Sequence, residues 1–265
     1  MNKIFYINLD SREDRKKLCE EQLDKLGWKY ERIPAIRKEN GALGCVLSHI
    51  KVLTKARDNK LPYVIIFEDD FKITDFGLFK TKFKKILDTN VSFDVLKFGA
   101  NALPPYKYIK DAHIGLNFSF CSHAYMVKKH YYDILINNLT QSSILLEKYG
   151  KGHKGINCLD VQYNILTRRD NWILLNPPSC VIQRPGFSEI EQKVIDYGHL
   201  CNSLKLAEIP FLESPTLKLA SPDSKKYMAS KFPTDCTEKQ YWETISREYF
   251  KRLERSITTG FLGFR

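Results

Sequence analysis

Tyr63-Val64-Ile65-Ile66-Phe67-Glu68-Asp69-Asp70-Phe71 is a continuous apolar run that ends abruptly in three carboxylates. Its length and its β-branched and aromatic residues predict a strand buried on both faces of a mostly parallel sheet. Ligands of open α/β sheets bind in the crevice outside the carboxyl ends of the strands, which makes Glu68, Asp69 and Asp70 site candidates. While the pleat lasts, Glu68 and Asp70 point to one side and Asp69 to the other. Three adjacent carboxylates with no counter-charge beside them in sequence raise one another's pKa or call for a cation. Hard divalent cations such as Mn²⁺ and Mg²⁺ suit them, because they take oxygen ligands and share them with substrate phosphates. The competing reading is a solvated acidic turn.

Working outward, Ile4 to Leu9 is another apolar run and predicts a second central strand. Ser11 with Asp14 reads as a capping box for the next helix, Leu18, Leu23 and Leu26 as its apolar stripe, and Gly27 as its C-terminal stop. Trp28 to Ile33 then predicts a strand, completing a β-α-β unit. The turn Asn8-Leu9-Asp10-Ser11-Arg12-Glu13-Asp14-Arg15 leaves the first strand at the sheet edge where the carboxylates lie. Arg12 and Arg15 share a helix face near an N-terminus that already favours anions, so a diphosphate would fit there. Pairing of these arginines with Glu13, Asp14 or Glu20 on a solvated helix is the equal alternative.

Gly41 to Arg57 predicts a helix with Leu43, Val46, Leu47, Ile50 and Leu53 on its apolar stripe, and Gly41 and Gly44 near its start where backbone can approach a ligand. Ser48 and His49 fall beside the stripe, where packing is the commoner role. Asp75 predicts the cap of a helix burying Phe76, Phe79, Phe83, Ile86 and Leu87. Phe93 to Phe98 and Phe118 to Val127 read as strands, with a helix near Lys128 to Leu139. Tyr149 to Asn157 is a glycine-rich loop, and Asp160 opens a short helix, where an acidic residue is usually a cap. From about residue 202 prolines 210, 215, 222 and 233 mark an irregular segment, after which Thr237 with Gln240 caps a basic amphipathic helix carrying Tyr241, Ile245, Tyr249 and Leu253. Residues 1–200 therefore read as one domain and 201–265 as a linker with a helical extension, which docks on the domain or joins a homo-oligomer.

With 42 Lys and Arg against 31 Asp and Glu, the formal charge of the 265 residues is +11. The basic residues are dispersed and no nucleic-acid motif accompanies them, so nucleic acid is not an expected partner. Seven cysteines contain no C-x-x-C pair and cannot all pair within one chain. No apolar run approaches the roughly 20 residues of a membrane span. The opening Met1-Asn2-Lys3 followed by a short strand is no signal-peptide core, and the expected location is a thiol-reducing cytoplasm.

The succession INLDSREDR, RIPAI, GALGCVLSHIKVL, VIIFEDDF, FDVLKFG, HAYMVKK, LDVQ and PPSCVIQRPGFSEIE, over roughly residues 3–191, resembles glycosyltransferase family 25. That family includes bacterial lipopolysaccharide sugar transferases and collagen hydroxylysine galactosyltransferases. The resemblance implies a GT-A type fold, Rossmann-like, with a mostly parallel sheet flanked by helices. It also implies a nucleotide-sugar donor, commonly UDP-linked, a glycan, lipopolysaccharide or collagen-like protein acceptor, and inversion at the anomeric carbon. Glu68-Asp69-Asp70 matches the family's metal and nucleotide motif, which implies Asp70 as the direct ligand and Glu68 as a partner near the metal or the donor's ribose, with Mn²⁺ the first candidate and Mg²⁺ the second. Asn8, Leu9, Asp10, Arg12 and Arg15 match the donor-binding turn, Ser48 and His49 the serine-histidine step, and Gln183 and Ser188 the final motif. Asp160 matches an acidic position and is the first candidate base, with Asp69 as fallback. His123 stands where many members carry a small residue. Two other classes fit the acidic strand end or the charge: a metal-dependent phosphohydrolase or nuclease, and a non-catalytic polyanion-binding module.

Overall fold

The computed structural model describes residues 4–152, 155–196 and 236–261. The apolar runs form the centre of an eight-stranded sheet: β1 (Ile4–Asn8), β2 (Tyr30–Pro34), β3 (Tyr63–Glu68), β5 (Val95–Lys97), β7 (Tyr108–Ile109), β8 (His113–Gly115), β10 (Ala124–Lys128) and β11 (Trp172–Leu175). Their order is β2-β1-β3-β10-β5-β11-β8-β7. Only β10 and β8 run against the other strands, so the sheet is mixed but mostly parallel in direction.

Alternation along β1, β3 and β11 feeds two separate cores. Phe5, Ile7, Val64, Ile66, Trp172 and Leu174 pack with Val46 and Leu53 of α2 (Gly41–Asp58) and with Leu135 and Leu139 of α4 (Tyr132–Tyr149). Ile4, Tyr6, Ile65, Phe67, Ile173 and Leu175 pack on the other face with Cys19 and Leu23 of α1 (Glu13–Leu26) and Phe79 and Phe83 of α3 (Phe76–Asp88). Each large side chain so buried contributes about 1.5–3 kcal/mol. This is the expected α/β architecture, a mostly parallel sheet flanked by helices with its central strands buried on both faces.

Local signals hold in part. Asp75 Oδ1 accepts the Leu78 N–H at 2.9 Å, and Gly27 ends α1 at φ 70°. Ser11 does not cap α1: Arg12 occupies that position without a side-chain cap, and its guanidinium turns back to Asp14 at 2.9 and 2.8 Å. Leu87, expected in the core, is 40% exposed because the buried stripe of α3 runs through Phe79, Phe83 and Ile86. The strand expected over Phe118 to Val127 is two. β9 (Phe118–Phe120) pairs with β6 (Asn101–Leu103), while β10 enters the main sheet between β3 and β5. Cys121, at φ 67°, turns the chain from one sheet to the other, a left-handed conformation uncommon outside glycine.

Two further short sheets frame the edge where β1 and β3 end: β4 (Phe71–Ile73) with β12 (Val181–Gln183), and β13 (Gly186–Ser188) with β14 (Lys193–Ile195). The Asp160 region forms α5 (Leu159–Gln162), followed by α6 (Asn164–Arg169). The C-terminal helix α7 (Glu238–Phe261) opens on the expected capping box, with Thr237 N–H donating to Gln240 Oε1 at 2.9 Å and Gln240 N–H to Thr237 Oγ1 at 3.2 Å. It docks on the body of the molecule: Leu253 is buried with Leu103, Phe118 and Val161, and the Ser246 hydroxyl donates to the Pro104 carbonyl at 2.8 Å. The proline-marked segment expected from about 202 lies outside the described residues until 236. Among the described residues, no helix is long and apolar enough to cross a membrane.

Candidate functional site

The carboxyl ends of β1 and β3 open into a cleft of about 380 Å³, walled by the first turns of α1 and α2, the end of β12 and the β13–β14 hairpin. Of the residues singled out in the sequence, Asn8, Leu9, Arg12, Arg15, Ser48, His49, Glu68, Asp69, Asp70, Gln183 and Ser188 line it. Asp10 and Asp160 are not part of the lining. Asp10 is exposed and pairs with Arg32 at 2.6 Å.

The three carboxylates take different partners. The ladder of β3 ends at Glu68, whose N–H donates to the His123 carbonyl at 2.8 Å, and residues 69 and 70 form a turn. The strand alternation therefore stops at Glu68, and Asp69 and Asp70 both reach Arg15, at 3.0 and 3.5 Å, instead of pointing to opposite sides. Asp69 is further held by Asn8 Nδ2 at 2.7 Å, so each of its oxygens has a donor. Asp70 Oδ2 accepts from Gln183 Nε2 at 3.0 Å, while Oδ1 is buried with no hydrogen-bond partner among the described residues. Burial, and then the charges of Glu68 and Asp69, push the Asp70 carboxyl up to about 7. Burial also works to raise Glu68, but His49 and the Ser122 hydroxyl, which donates to Glu68 Oε1 at 2.5 Å, hold that carboxyl well below its ordinary value. The set is thus a buried acidic cluster with one oxygen left over, the environment a hard cation completes.

On the α2 wall the serine of the serine-histidine step is structural. Ser48 Oγ donates to the Gly44 carbonyl at 2.7 Å and accepts the Ile36 N–H at 2.8 Å. Gly44 serves backbone packing there, since a Cβ would stand 2.4 Å from the Ile36 carbonyl oxygen. His49 is fully buried, stacked on Tyr125 with its Nδ1 at 2.7 Å from the tyrosine hydroxyl; its Nε2 faces Glu68 Oε1 at 3.3 Å without hydrogen-bond alignment.

Around the hairpin, Arg15 Nη2 donates to the Phe187 carbonyl at 2.7 Å, Arg12 stands 3.8 Å from Glu189, and Ser188 Oγ accepts the Glu191 N–H at 3.1 Å. The two arginines are therefore neither purely helix-surface pairs nor free: Arg12 keeps Asp14, while Arg15 joins α1 to the acidic turn and to the hairpin.

Asp160 sits behind the cleft in α5, where one of its oxygens accepts the Cys121 N–H at 3.1 Å. Burial raises its carboxyl against that bond and the nearby Lys97 charge. From Asp160 a chain of contacts runs through Cys121 to Gln183, by a 3.7 Å Sγ to Oε1 contact, and from Gln183 to Asp70. His123 is buried, with burial lowering it to about 4, and its Nε2 faces the Val181 carbonyl at 3.4 Å, packing the cleft floor against β12.

Residues 39–145 match the model of "Glycosyltransferase family 25 (LPS biosynthesis protein)". Over that stretch the chain is similar to glycosyltransferase family 25. A protein of Haemophilus influenzae (strain ATCC 51907 / DSM 11121 / KW20 / Rd) named "Putative glycosyltransferase" is 32% identical over 96 residues, covering 35% of this chain. The match spans about a third of that relative, 32% of its length. Among solved structures, a glycosyltransferase involved in glycosylation of the major capsid of PBCV-1 shares 12% identity at TM-score 0.41, over 66% of this chain and 81% of that one. A mannose-1-phosphate geranyltransferase from Thermus thermophilus shares 10% at TM-score 0.42, over 66% and 73%. A Drosophila β1,4-galactosyltransferase 7 mutant, in complex with manganese, UDP-Gal and xylobiose, shares 14% at TM-score 0.32, over 51% and 52%.

The family 25 match contains the acidic turn and the Cys45–His49 turn of α2 but stops short of Gln183 and Asp160. Two residues of this wall were not singled out as site candidates in the sequence. Cys45 precedes His49 by one helical turn, and its Sγ, a ring nitrogen of His49 and a Glu68 carboxylate oxygen lie within 4.8 Å of one another. The i, i+4 spacing of a Cys and a His is the sequence signal for this pair. Tyr125, which orients His49 from the neighbouring strand, has no comparable signal.

Proposed function

We propose that the protein is a glycosyltransferase that moves a hexose from a nucleotide sugar, UDP-linked in the first instance, to a hydroxyl acceptor with inversion. The acceptor classes are a glycan, a lipopolysaccharide or a hydroxylysine of a collagen-like protein. The single observation that carries this reading is the buried, unpartnered Asp70 Oδ1, set beside Glu68 and within reach of Arg15 in a cleft lined by residues of the family match.

The residues fit a divalent cation, which Asp70 and Glu68 would hold, with Mn²⁺ preferred and Mg²⁺ an alternative. Once bound, that ion supplies Lewis-acid stabilisation of charge on the departing diphosphate. The chain itself supplies the rest. Arg12 and Arg15, at the N-terminal turn of α1, add fixed positive charge and helix-end N–H groups on the side of the cleft where a diphosphate sits. Asn8 and Arg15 pin Asp69 and so keep the turn rigid. Gln183 fixes the orientation of Asp70 from β12.

In a single in-line displacement the acceptor hydroxyl attacks the anomeric carbon from the face opposite the nucleotide, and a carboxylate takes its proton. Asp160 is the first candidate for that base. Burial raises its proton affinity, and Cys121 links it to Gln183 on the cleft wall. Asp69 is the weaker candidate, because Asn8 and Arg15 already occupy its two oxygens.

Nucleotide release from a panel of UDP-sugars, with Mn²⁺ and with EDTA, tests the reading. Acceptor-dependent UDP release that EDTA abolishes is expected. Cleavage of phosphate esters with no sugar transfer would point to a phosphohydrolase instead.

A further inference from the structure

Outside the Asp70 carboxyl, the least satisfied group in the cleft is His49. Its ring is fully buried, its Nδ1 is engaged by Tyr125 at 2.7 Å, and its Nε2 has no hydrogen-bond partner among the described residues. That nitrogen faces Glu68 Oε1, 3.3 Å away, and Cys45 Sγ lies within 4.8 Å of a ring nitrogen of His49 and of a Glu68 carboxylate oxygen. Cys45 and Glu68 are only partly buried, and all three residues line the cleft.

We propose that Cys45, His49 and Glu68 form a three-ligand site for a thiophilic divalent cation of the Zn²⁺ class, an alternative to the all-oxygen position at Asp70, with which it shares Glu68. Three arguments carry it. First, a tetrahedral ion with nitrogen and oxygen bonds of about 2.0–2.1 Å separates those two ligand atoms by roughly 3.3 Å, which is the spacing found between His49 and Glu68. The sulfur of such a site stands roughly 3.5 Å from the other ligands, so from a starting separation of no more than 4.8 Å Cys45 closes the triangle by a movement of about 1.3 Å at most. Second, a metal-bound imidazole donates its other ring N–H to an oxygen that fixes its orientation, and the Tyr125 hydroxyl is placed to accept from Nδ1. Third, the ligand set selects the ion. A thiolate and an imidazole favour Zn²⁺ over Mn²⁺ or Mg²⁺, which prefer the carboxylates alone. Binding releases the thiol proton of Cys45 and any proton on His49 Nε2, and the remaining coordination position opens to the cleft.

Occupancy of the site does not depend on the transferase reading; its consequence for activity does. Glu68 serves both positions, so an ion at Cys45 and His49 withdraws it from Asp70, and Zn²⁺ inhibits any transfer that Mn²⁺ supports.

Co²⁺ titrated into the reduced, full-length protein is the test. The wild-type chain should develop an intense near-ultraviolet band from thiolate-to-cobalt charge transfer, and Zn²⁺ should abolish it. Asp70→Asn should retain the band and Cys45→Ser should lose it. A saturated wild-type protein with no thiolate band, or a band undiminished in Cys45→Ser, overturns the proposal. A second measurement needs no variant: Zn²⁺ but not Mg²⁺ should protect Cys45 of the wild-type protein from alkylation, read by peptide mass. Equal labelling with and without Zn²⁺ overturns it as well. Absence of sugar transfer, with the cobalt band present, would count against the transferase reading alone.

Discussion

Gln183 Nε2 donates to Asp70 Oδ2 at 3.0 Å, tying the last residue of β12 to the acidic turn after β3 across 113 positions of sequence. The same junction carries the Arg184 N–H to Asp70 carbonyl bond at 2.6 Å and the antiparallel pairing of Gln183 with Phe71. β12 is therefore the strut that holds Asp70 in place, and anything that displaces β12 should loosen the site.

Gly99 is the test of that strut. It follows β5 where β12 crosses closely, and a Cβ there would stand 1.8 Å from the Val181 carbonyl oxygen and 2.6 Å from His123 Nε2. Gly99→Ala must push β12 outward, and overpacking of this kind costs about 1–3 kcal/mol or more. Thermal melts should show a clear drop, accompanied by weaker UDP binding. An unchanged melt would mean that β12 does not hold its place against Gly99.

Cys158, not Asp160, is the N-cap residue of α5, so one substitution at Asp160 separates a catalytic role from support of the Cys121 turn. If it takes the acceptor proton, Asp160→Asn keeps donor binding and lowers transfer by about 10²–10⁴-fold. If its role is confined to the Cys121 N–H, Asn accepts that bond as well and the rate should barely change. Initial transfer rates at saturating donor distinguish the two.

Cys19, Cys45, Cys158 and Cys180 are free thiols. Adding dithiothreitol should accordingly leave the melting temperature unchanged. A fall of several degrees would require a structural disulfide and would contradict this set of thiols.

Much of this was legible in the sequence, for local reasons. The apolar runs of β1 and β3 are unambiguous because both faces of each strand are buried, and their ends mark one sheet edge. Asn8 and the Glu68-Asp69-Asp70 turn therefore meet without any long-range information. Gln183 and Ser188 came from the order of the family's motifs, since nothing in their local sequence says that β12 pairs with β4. The direction of Asp69 was misjudged because the strand ends one residue before it. The break at Cys121 was hidden because both flanking segments have strand composition and only the choice of partner, β6 or β3, separates them. Cys45 was readable from its spacing to His49, whereas Tyr125 becomes part of the wall only through its position beside β3.

Asp70 also predicts a pH dependence in the ion-free protein. Its folded carboxyl lies at about 7, above the unfolded value near 3.8, with burial as the main cause. A raised carboxyl means that the folded state holds the proton more tightly, so its contribution is fully present below the unfolded pKa and is lost as pH rises through about 7. Asp70→Asn removes that loss. In EDTA the variant should therefore gain more in melting temperature over wild type at pH 8 than at pH 5. A difference independent of pH would mean that Asp70 is not the group that titrates.

The same substitution decides the metal bridge. If Asp70 and Glu68 hold an ion that also contacts the donor diphosphate, ion and nucleotide each strengthen the other's binding. UDP alone should then bind weakly to wild type and tightly with Mn²⁺. Asp70→Asn preserves the size of the side chain and, through its Oδ1, can still accept from Gln183, but it removes the ligand charge. It should fold normally, bind UDP weakly with or without Mn²⁺, and transfer no sugar. Calorimetric titration of UDP into both proteins, with and without Mn²⁺, gives four affinities, of which only wild type with Mn²⁺ should stand apart. Four equal affinities would remove the ion from the donor site, and unimpaired transfer by Asp70→Asn would remove Asp70 from the mechanism.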